Sequence, residues 1–242
     1  MLVLALDAST STTSVAVGDP DAEERRVLAQ IELPGSGASE TLLRAADAAL
    51  RLCNRDFSEV EGIVVGVGPG TFTGIRIACA TARSLALGSG AALMPGSTLV
   101  ALAVPALSVR PEVLAVLDAR RGEVFARKFS AGAVFDAEGP GASGPEGIFC
   151  GRPEELASGG AGAYLAPGSE LLVVGDGAVR YRDKLSRFGD IPPDGSPLNR
   201  VSAAGHLLSG GFHPAEAGEI VPVYVREPDA EVRRNLNPWL ES

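Results

Sequence analysis

The chain resembles itself. Residues 2–8 read LVLALDA and residues 113–119 read VLAVLDA, two apolar strands that end in Leu-Asp-Ala, with Asp7 and Asp118 lying 111 residues apart. A second pair, VVGVG at 64–68 and VVGDG at 173–177, repeats 109 residues apart. Two matches at nearly one spacing mean a duplicated unit, and a chain of 242 residues can supply two lobes with cores of their own. Each repeat opens with a strand, a turn and a second strand. The first turn is Ser9-Thr10-Ser11-Thr12-Thr13 before SVAVG; the second is Arg120-Arg121-Gly122 before EVFARKF, a short glycine turn that reads as a hairpin.

Between the repeats the stretch GIVVGVGPGTFTGIRI at 62–77 runs an apolar strand through Gly66, Gly68, Pro69 and Gly70 into a helix start. Helix N-termini carry unpaired N–H groups and partial positive charge, so such a turn has the shape of an anion site. It lacks the third glycine of a dinucleotide fingerprint, where Thr71 stands. It also lacks the Gly-Lys-Ser/Thr of a Walker loop, because Gly74 is followed by Ile75 and Arg76. An anion turn and a plain capped helix start therefore both stay open. Pro69 fixes φ, Gly70 is free to take a positive φ, and Thr71 or Thr73 caps the helix. Apolar residues at helical spacing predict two helices. One is capped by Ser39 and runs to about Asn54, with Leu42, Leu43, Ala46, Ala49, Leu50 and Cys53 on one stripe. The other runs from Thr71 to Leu87, with Ile75, Ala78, Cys79, Ala82, Leu85 and Ala86. Arg76 stands in the first turn of the second helix, unfavourably for the dipole, and calls for a carboxylate or phosphate partner in this chain or another.

Further along, the lobe boundary is expected near Pro105 to Pro111, and residues 130–170 are loop-rich in Gly and Pro. A helix is expected near Val201–Leu208 with Asn199 or Ser202 as cap. IVPVYVREP reads as a last strand, edge or start because of Pro222, with Tyr224 and Arg226 on one face. The net charge of −9 argues against a nucleic-acid grip by this chain alone, although Arg226, Arg233 and Arg234 cluster near the end. Two histidines, His206 and His213, and three scattered cysteines, Cys53, Cys79 and Cys150, predict no metal site and reduced core thiols. No apolar run is long enough to span a membrane and the first residues read as a strand, so a cytoplasmic location is expected.

Two α/β lobes that each open with an Asp-bearing hairpin resemble the plan of the actin, sugar-kinase and heat-shock ATPase (ASKHA) superfamily, where the two hairpin turns face each other across a nucleotide cleft. More closely, LALDASTSTTSVAVG, VGVGPGTFTGIRIACATARSLALG, GSTLVALA, LDARRGEVFARKF, VVGDGA and PVYVREP, in that order, resemble the TsaB family, also called YeaZ. Its members are bacterial subunits that work with TsaD in making threonylcarbamoyladenosine at position 37 of tRNA. GPGTFTGIR is close to the family's GPGSFTGLR. The resemblance covers essentially the whole chain, weakest over 130–170 and after 228. It departs at Ala91-Ala92-Leu93-Met94-Pro95 and at Gly96, just before Ser97.

The resemblance implies an α/β fold of two duplicated ribonuclease H-like lobes, 1–105 and 106–242. TsaD carries an Asn-His-x-x-x-His element whose histidines hold a metal; Thr98 and Leu102 stand in their places here. It thus implies a non-catalytic subunit with no catalytic residue and no metal. A nucleotide-like cleft would be lined by Asp7, Ser9, Thr10, Gly68, Gly70, Asp118 and Arg120. No cofactor is required, and a weak ATP or ADP hold is left open. Asp7 has a plainer reading as an Asx turn former. The implied partner interface is Leu43, Ala46, Leu50, Thr71, Phe72, Thr73, Ile75, Arg76 and Ala82. The implied partners are a TsaD-type catalytic subunit, a TsaE-type ATPase as an open question, a second copy when alone, and tRNA only through the complex. Two rival readings are an active ATP-dependent kinase of the same fold and a glycoprotease-like peptidase.

Overall fold

The computed structural model describes residues 1–21, 26–35, 37–131, 147–157, 165, 170–210 and 212–225. Arg226, Arg233, Arg234 and most of 130–170 lie outside them. Two five-stranded sheets carry the fold. The first holds β1 (Val3–Asp7), β2 (Thr12–Asp19), β3 (Arg26–Pro34), β4 (Gly62–Gly68) and β5 (Ala92–Ser97) in the order β3-β2-β1-β4-β5. The second holds β6 (Glu112–Arg120), β7 (Glu123–Ser130), β8 (Phe149–Gly151), β9 (Leu171–Val174) and β10 (Gly189–Asp190) in the order β8-β7-β6-β9-β10. Antiparallel pairs (β1 with β2, β6 with β7) and parallel pairs (β1 with β4, β6 with β9) match between the sheets. The duplication expected from the sequence is a duplicated sheet.

Its register differs by one residue from the letters. Val3 pairs with Gly62 and Val113 with Leu172, so both strands of each sheet share one offset; matching Val3 to Val113, each on the face that meets the helix ending the other repeat, makes it 110, between the two sequence offsets. Asp7 is therefore equivalent to Leu117, and Asp118 lies one residue further on. In a strand, one residue is the difference between the two faces.

Helices α1 (Ala38–Leu52) and α2 (Phe72–Ser89) cover one face of the first sheet over Leu4, Leu6, Ile63 and Val65. The cap of α1 is Gly37 rather than Ser39, while Thr71 caps α2 by position, with no hydrogen bond from its side chain. Helix α3 (Thr98–Leu107) ends the first repeat but packs on the second sheet, over Val113, Ala115 and Leu117. Two short helices, α4 (Asp176–Arg180) and α5 (Arg182–Leu185), cover the other face of that sheet with Leu114 and Val116. Helix α6 (Ala203–Ser209) ends the second repeat and packs on the first sheet with Val3, Ala5 and Val64. By packing, the chain thus changes lobes at Ser97–Thr98, ahead of Pro105, and returns at α6.

Pro95 lies within β5, which it can because β5 is the outer strand of its sheet. The hairpin between β6 and β7 closes through Arg121 and Gly122, both at positive φ (56° and 85°), as a type I′ turn requires. Residues 220–225 form no strand, and the rest of IVPVYVREP lies outside the described residues. Residues 215–224 run as a strap over the first lobe, where Ala215 N donates to Leu93 O (2.8 Å) and Val223 N to Val67 O (2.7 Å).

The three cysteines are free thiols. Burial pushes the Cys79 thiol up to about 11. Because the thiolate is the reactive form, Cys79 is expected to resist iodoacetamide at pH 8 in the folded protein and to label once urea unfolds it. Peptide mass spectrometry checks this; rapid native labelling of Cys79 would contradict its place on the buried side of α2.

Candidate functional site

Alternation along β1 puts Asp7 on the same face as Val3 and Ala5, toward α6. Its Oδ1 accepts from Ser9 N (2.8 Å) and Ser9 Oγ (2.6 Å), which makes the Asx turn. Its Oδ2 is hydrogen-bonded to His206 Nε2 at 2.8 Å. Asp7 is 0% exposed, and Ser9 and His206 are each 1% exposed. Two glycines make room for the imidazole. Gly66 and Gly96 pair across β4 and β5. A Cβ on Gly66 would stand 2.1 Å from Asp7 Oδ2, and one on Gly96 would stand 2.4 Å from His206 Nδ1. Helix α6 is held in place at its start. Ser202 Oγ accepts from Gly205 N (3.1 Å), and Ala203 N donates to Ser14 Oγ (2.8 Å).

The arrangement is saturated. Asp7 spends both oxygens inside the protein, and Ser9 donates to the carboxylate, not to the imidazole. That is not the hydroxyl–base–orienter order of nucleophilic catalysis, and no member reaches solvent. His206 is the residue that sequence reasoning missed. Its signal was position: it falls within the buried stripe of Ala203, Ala204 and Leu207.

The glycine turn meets the same region. Gly68, not Gly70, takes the positive φ (118°). Gly70 is needed for a close approach, since its Cβ would lie 2.3 Å from Ser9 O. Thr71 N donates to that same Ser9 O at 2.6 Å. The turn therefore grips the carbonyl of the β1–β2 connection. Asp7, Ser9 and Gly70 come together, with Thr10 half-buried in the same connection, while Gly68 lies against Ile75 and Val223.

Asp118 and Arg120 do not join them. The one-residue slip turns Asp118 to the α4 side. There its carboxylate accepts from Arg120 N (3.0 Å), Arg120 Nη1 and Arg180 Nη1 (both 3.3 Å) and Tyr181 Oη (3.4 Å). Asp118 N donates to Asp176 Oδ1 (3.0 Å), and burial raises the Asp176 carboxyl above the usual range. Asp7 and Asp118 thus share no hydrogen-bond partner among the described residues. Among the described residues, no group of three or more His, Cys, Asp or Glu could hold a metal ion.

The expected partner surface divides. Ala46, Leu50, Ile75 and Ala82 are buried in the first-lobe core, because the apolar stripe of each helix faces its own sheet. They are removed from the surface set. Leu43 (53% exposed), Phe72, Thr73 and Arg76 are exposed and Thr71 is half-buried. Leu87, at 91% exposed, was not in the expected set. Arg76 meets aromatic partners: its guanidinium carbon lies 3.7 Å from the Phe72 ring centre, its Nε donates to Tyr224 Oη (2.8 Å), and the two rings stack at 5.3 Å.

A family model described as TsaD: tRNA N6-adenosine threonylcarbamoyltransferase matches residues 35–156, half of the chain. The chain belongs to this family. Among curated relatives, the Escherichia coli K12 protein named tRNA threonylcarbamoyladenosine biosynthesis protein TsaB is 33% identical over 127 residues, covering 52% of this chain and 53% of that one. The Bacillus subtilis protein of the same name is 30% identical over 126 residues, with 52% and 53% covered. The match to this family thus spans about half the length of these curated relatives. A solved structure titled YeaZ from Pseudomonas aeruginosa aligns with a TM-score of 0.71 at 24% identity, covering 92% of this chain and 99% of that one. The fold is the duplicated ribonuclease H-like one, over nearly the whole chain, and the TsaB resemblance read from the motifs is the one these comparisons return. No helix among the described residues is long and apolar enough to cross a membrane.

Proposed function

We propose that this chain is a non-catalytic activating subunit. It docks on a TsaD-type catalytic subunit through the exposed side of α1 and α2 and supports transfer of threonylcarbamoyl to N6 of adenosine 37 of tRNA. One observation carries this reading within a family described as a transferase. Thr98 and Leu102 replace the two histidines that the resemblance places on a metal, and both are buried side chains (0% and 1% exposed). A threonine hydroxyl and a leucine cannot stand in for two imidazole ligands. The filled space beside Asp7 supports the same reading and argues against a kinase. In this proposal the chain needs no nucleotide, and it meets tRNA only through the complex.

The test is reconstitution. The chain and a TsaD-type protein from the same cell are mixed, sized on a column, and assayed for threonylcarbamoyl transfer to tRNA, each alone and together. A complex active only with both chains present is the expected result. Transfer by this chain alone, or no association, would sink the reading. Leu87→Arg, at a nearly bare position on α2, is expected to weaken the association by roughly tenfold or more while leaving the melting temperature nearly unchanged.

A further inference from the structure

Arg76 stands in an organised setting. Among the described residues it pairs with no carboxylate, although its side chain is fixed. The Phe72 ring lies under the guanidinium, Tyr224 stacks on Phe72, and Nε is spent on Tyr224 Oη. This leaves the two terminal nitrogens, a planar fork of N–H donors, at the surface. Holding the side chain on an aromatic platform removes much of the ordering cost that a free arginine would meet on binding.

Resting on the reading that this face docks on a TsaD-type subunit, we propose that Arg76 receives a carboxylate side chain of that partner, bidentately, on the Phe72–Tyr224 platform. A phosphate would offer the same charge, but a nucleic-acid backbone is held by several cations within reach. The exposed stripe of α2 runs from Thr73 and Arg76 through Ala80 and Ser84 to Leu87. The other cation of this helix, Arg83, is half-buried and donates to Ile220 O. One fixed cation at one end of an uncharged stripe suits a protein surface bearing a single acid. The strap becomes part of the interface, since Tyr224 builds the platform.

The experiment measures the affinity of the full-length chain for the TsaD-type protein, with tRNA binding followed in parallel. Arg76→Glu is expected to weaken association by about 30-fold or more, and Arg76→Lys, which keeps the charge and loses the planar fork, by roughly fivefold. Both variants are expected to melt close to the wild type. Replacing the partner's acidic residues one at a time by arginine is expected to yield one change that restores binding to Arg76→Glu and weakens binding to the wild type. If the wild type associates and Arg76→Glu associates equally well, this inference falls while the docking reading stands. If the wild type does not associate, both fall. If Arg76→Glu loses tRNA binding with the protein complex intact, the ligand is a phosphate and the proposal is overturned.

Discussion

Replacing His206 by alanine is expected to destabilise the protein by about 4 kcal/mol, the sum of two effects. Asp7 Oδ2, fully buried, loses its donor, and a buried acceptor left unpaired costs roughly 1–3 kcal/mol. The vacated ring also leaves a cavity, and large-to-small changes in a core cost about 2–5 kcal/mol where the walls cannot collapse. They cannot collapse easily here, because the cavity floor is the backbone of Gly66 and Gly96, held in register within a sheet. For a chain of this size the loss corresponds to a fall in melting temperature of roughly 10 °C. His213, the other histidine, is exposed, and its replacement by alanine is expected to shift stability by less than about 0.5 kcal/mol. Calorimetry on the two variants separates a structural imidazole from a surface one. A His206→Ala protein that melts with the wild type would show that α6 does not depend on this contact. His206→Gly should regain part of its lost stability in millimolar imidazole, because the ring then binds the cavity as a ligand.

The same contact explains which parts of the sequence were legible. Strand periodicity and the repeated motifs were enough for the duplicated sheets, since β1/β2/β4 and β6/β7/β9 each follow local pattern. The repeated Leu-Asp-Ala was misleading in detail. Identical letters pulled the alignment one residue away from the pairing of Val3 with Gly62 and Val113 with Leu172, and that single step moved Asp118 to the other face. The occupant of the space beside Asp7 comes from 199 residues away, on a helix that crosses to the other repeat's sheet. No local pattern encodes that crossing. The traces it left were indirect: two glycines at paired positions in neighbouring strands, and a histidine on a buried helical stripe. The partner surface was misread for a related reason. A helical stripe of Ala46, Leu50, Ile75 and Ala82 marks the side that its own sheet covers, so the surface for another protein is the complementary side of Leu43, Phe72, Arg76 and Leu87.

Two glycines of α2 predict opposite outcomes for the same substitution. At Gly88 an added methyl meets nothing within 4 Å. Alanine there is expected to stabilise the protein by about 0.5–1 kcal/mol through helix propensity alone. At Gly74 the Cβ would stand 1.8 Å from Ala8 O and 2.7 Å from Thr71 Oγ1. The obstacle is backbone, so no rotamer relieves it; α2 must move off the β1–β2 connection. That motion pulls on the Thr71 N–Ser9 O hydrogen bond and, through Ser9, on the carboxylate of Asp7. Overpacking costs typically about 1–3 kcal/mol and more where main chain must shift, so Gly74→Ala is expected to cost about 3 kcal/mol despite the better helix former. Urea unfolding with an unchanged slope would report the two midpoints moving apart. If Gly74→Ala unfolds at the wild-type midpoint, then the glycine turn does not grip the β1–β2 connection as described. Its glycines would have to be explained by some other demand on the backbone, and an anion held at the helix start would be the first to test.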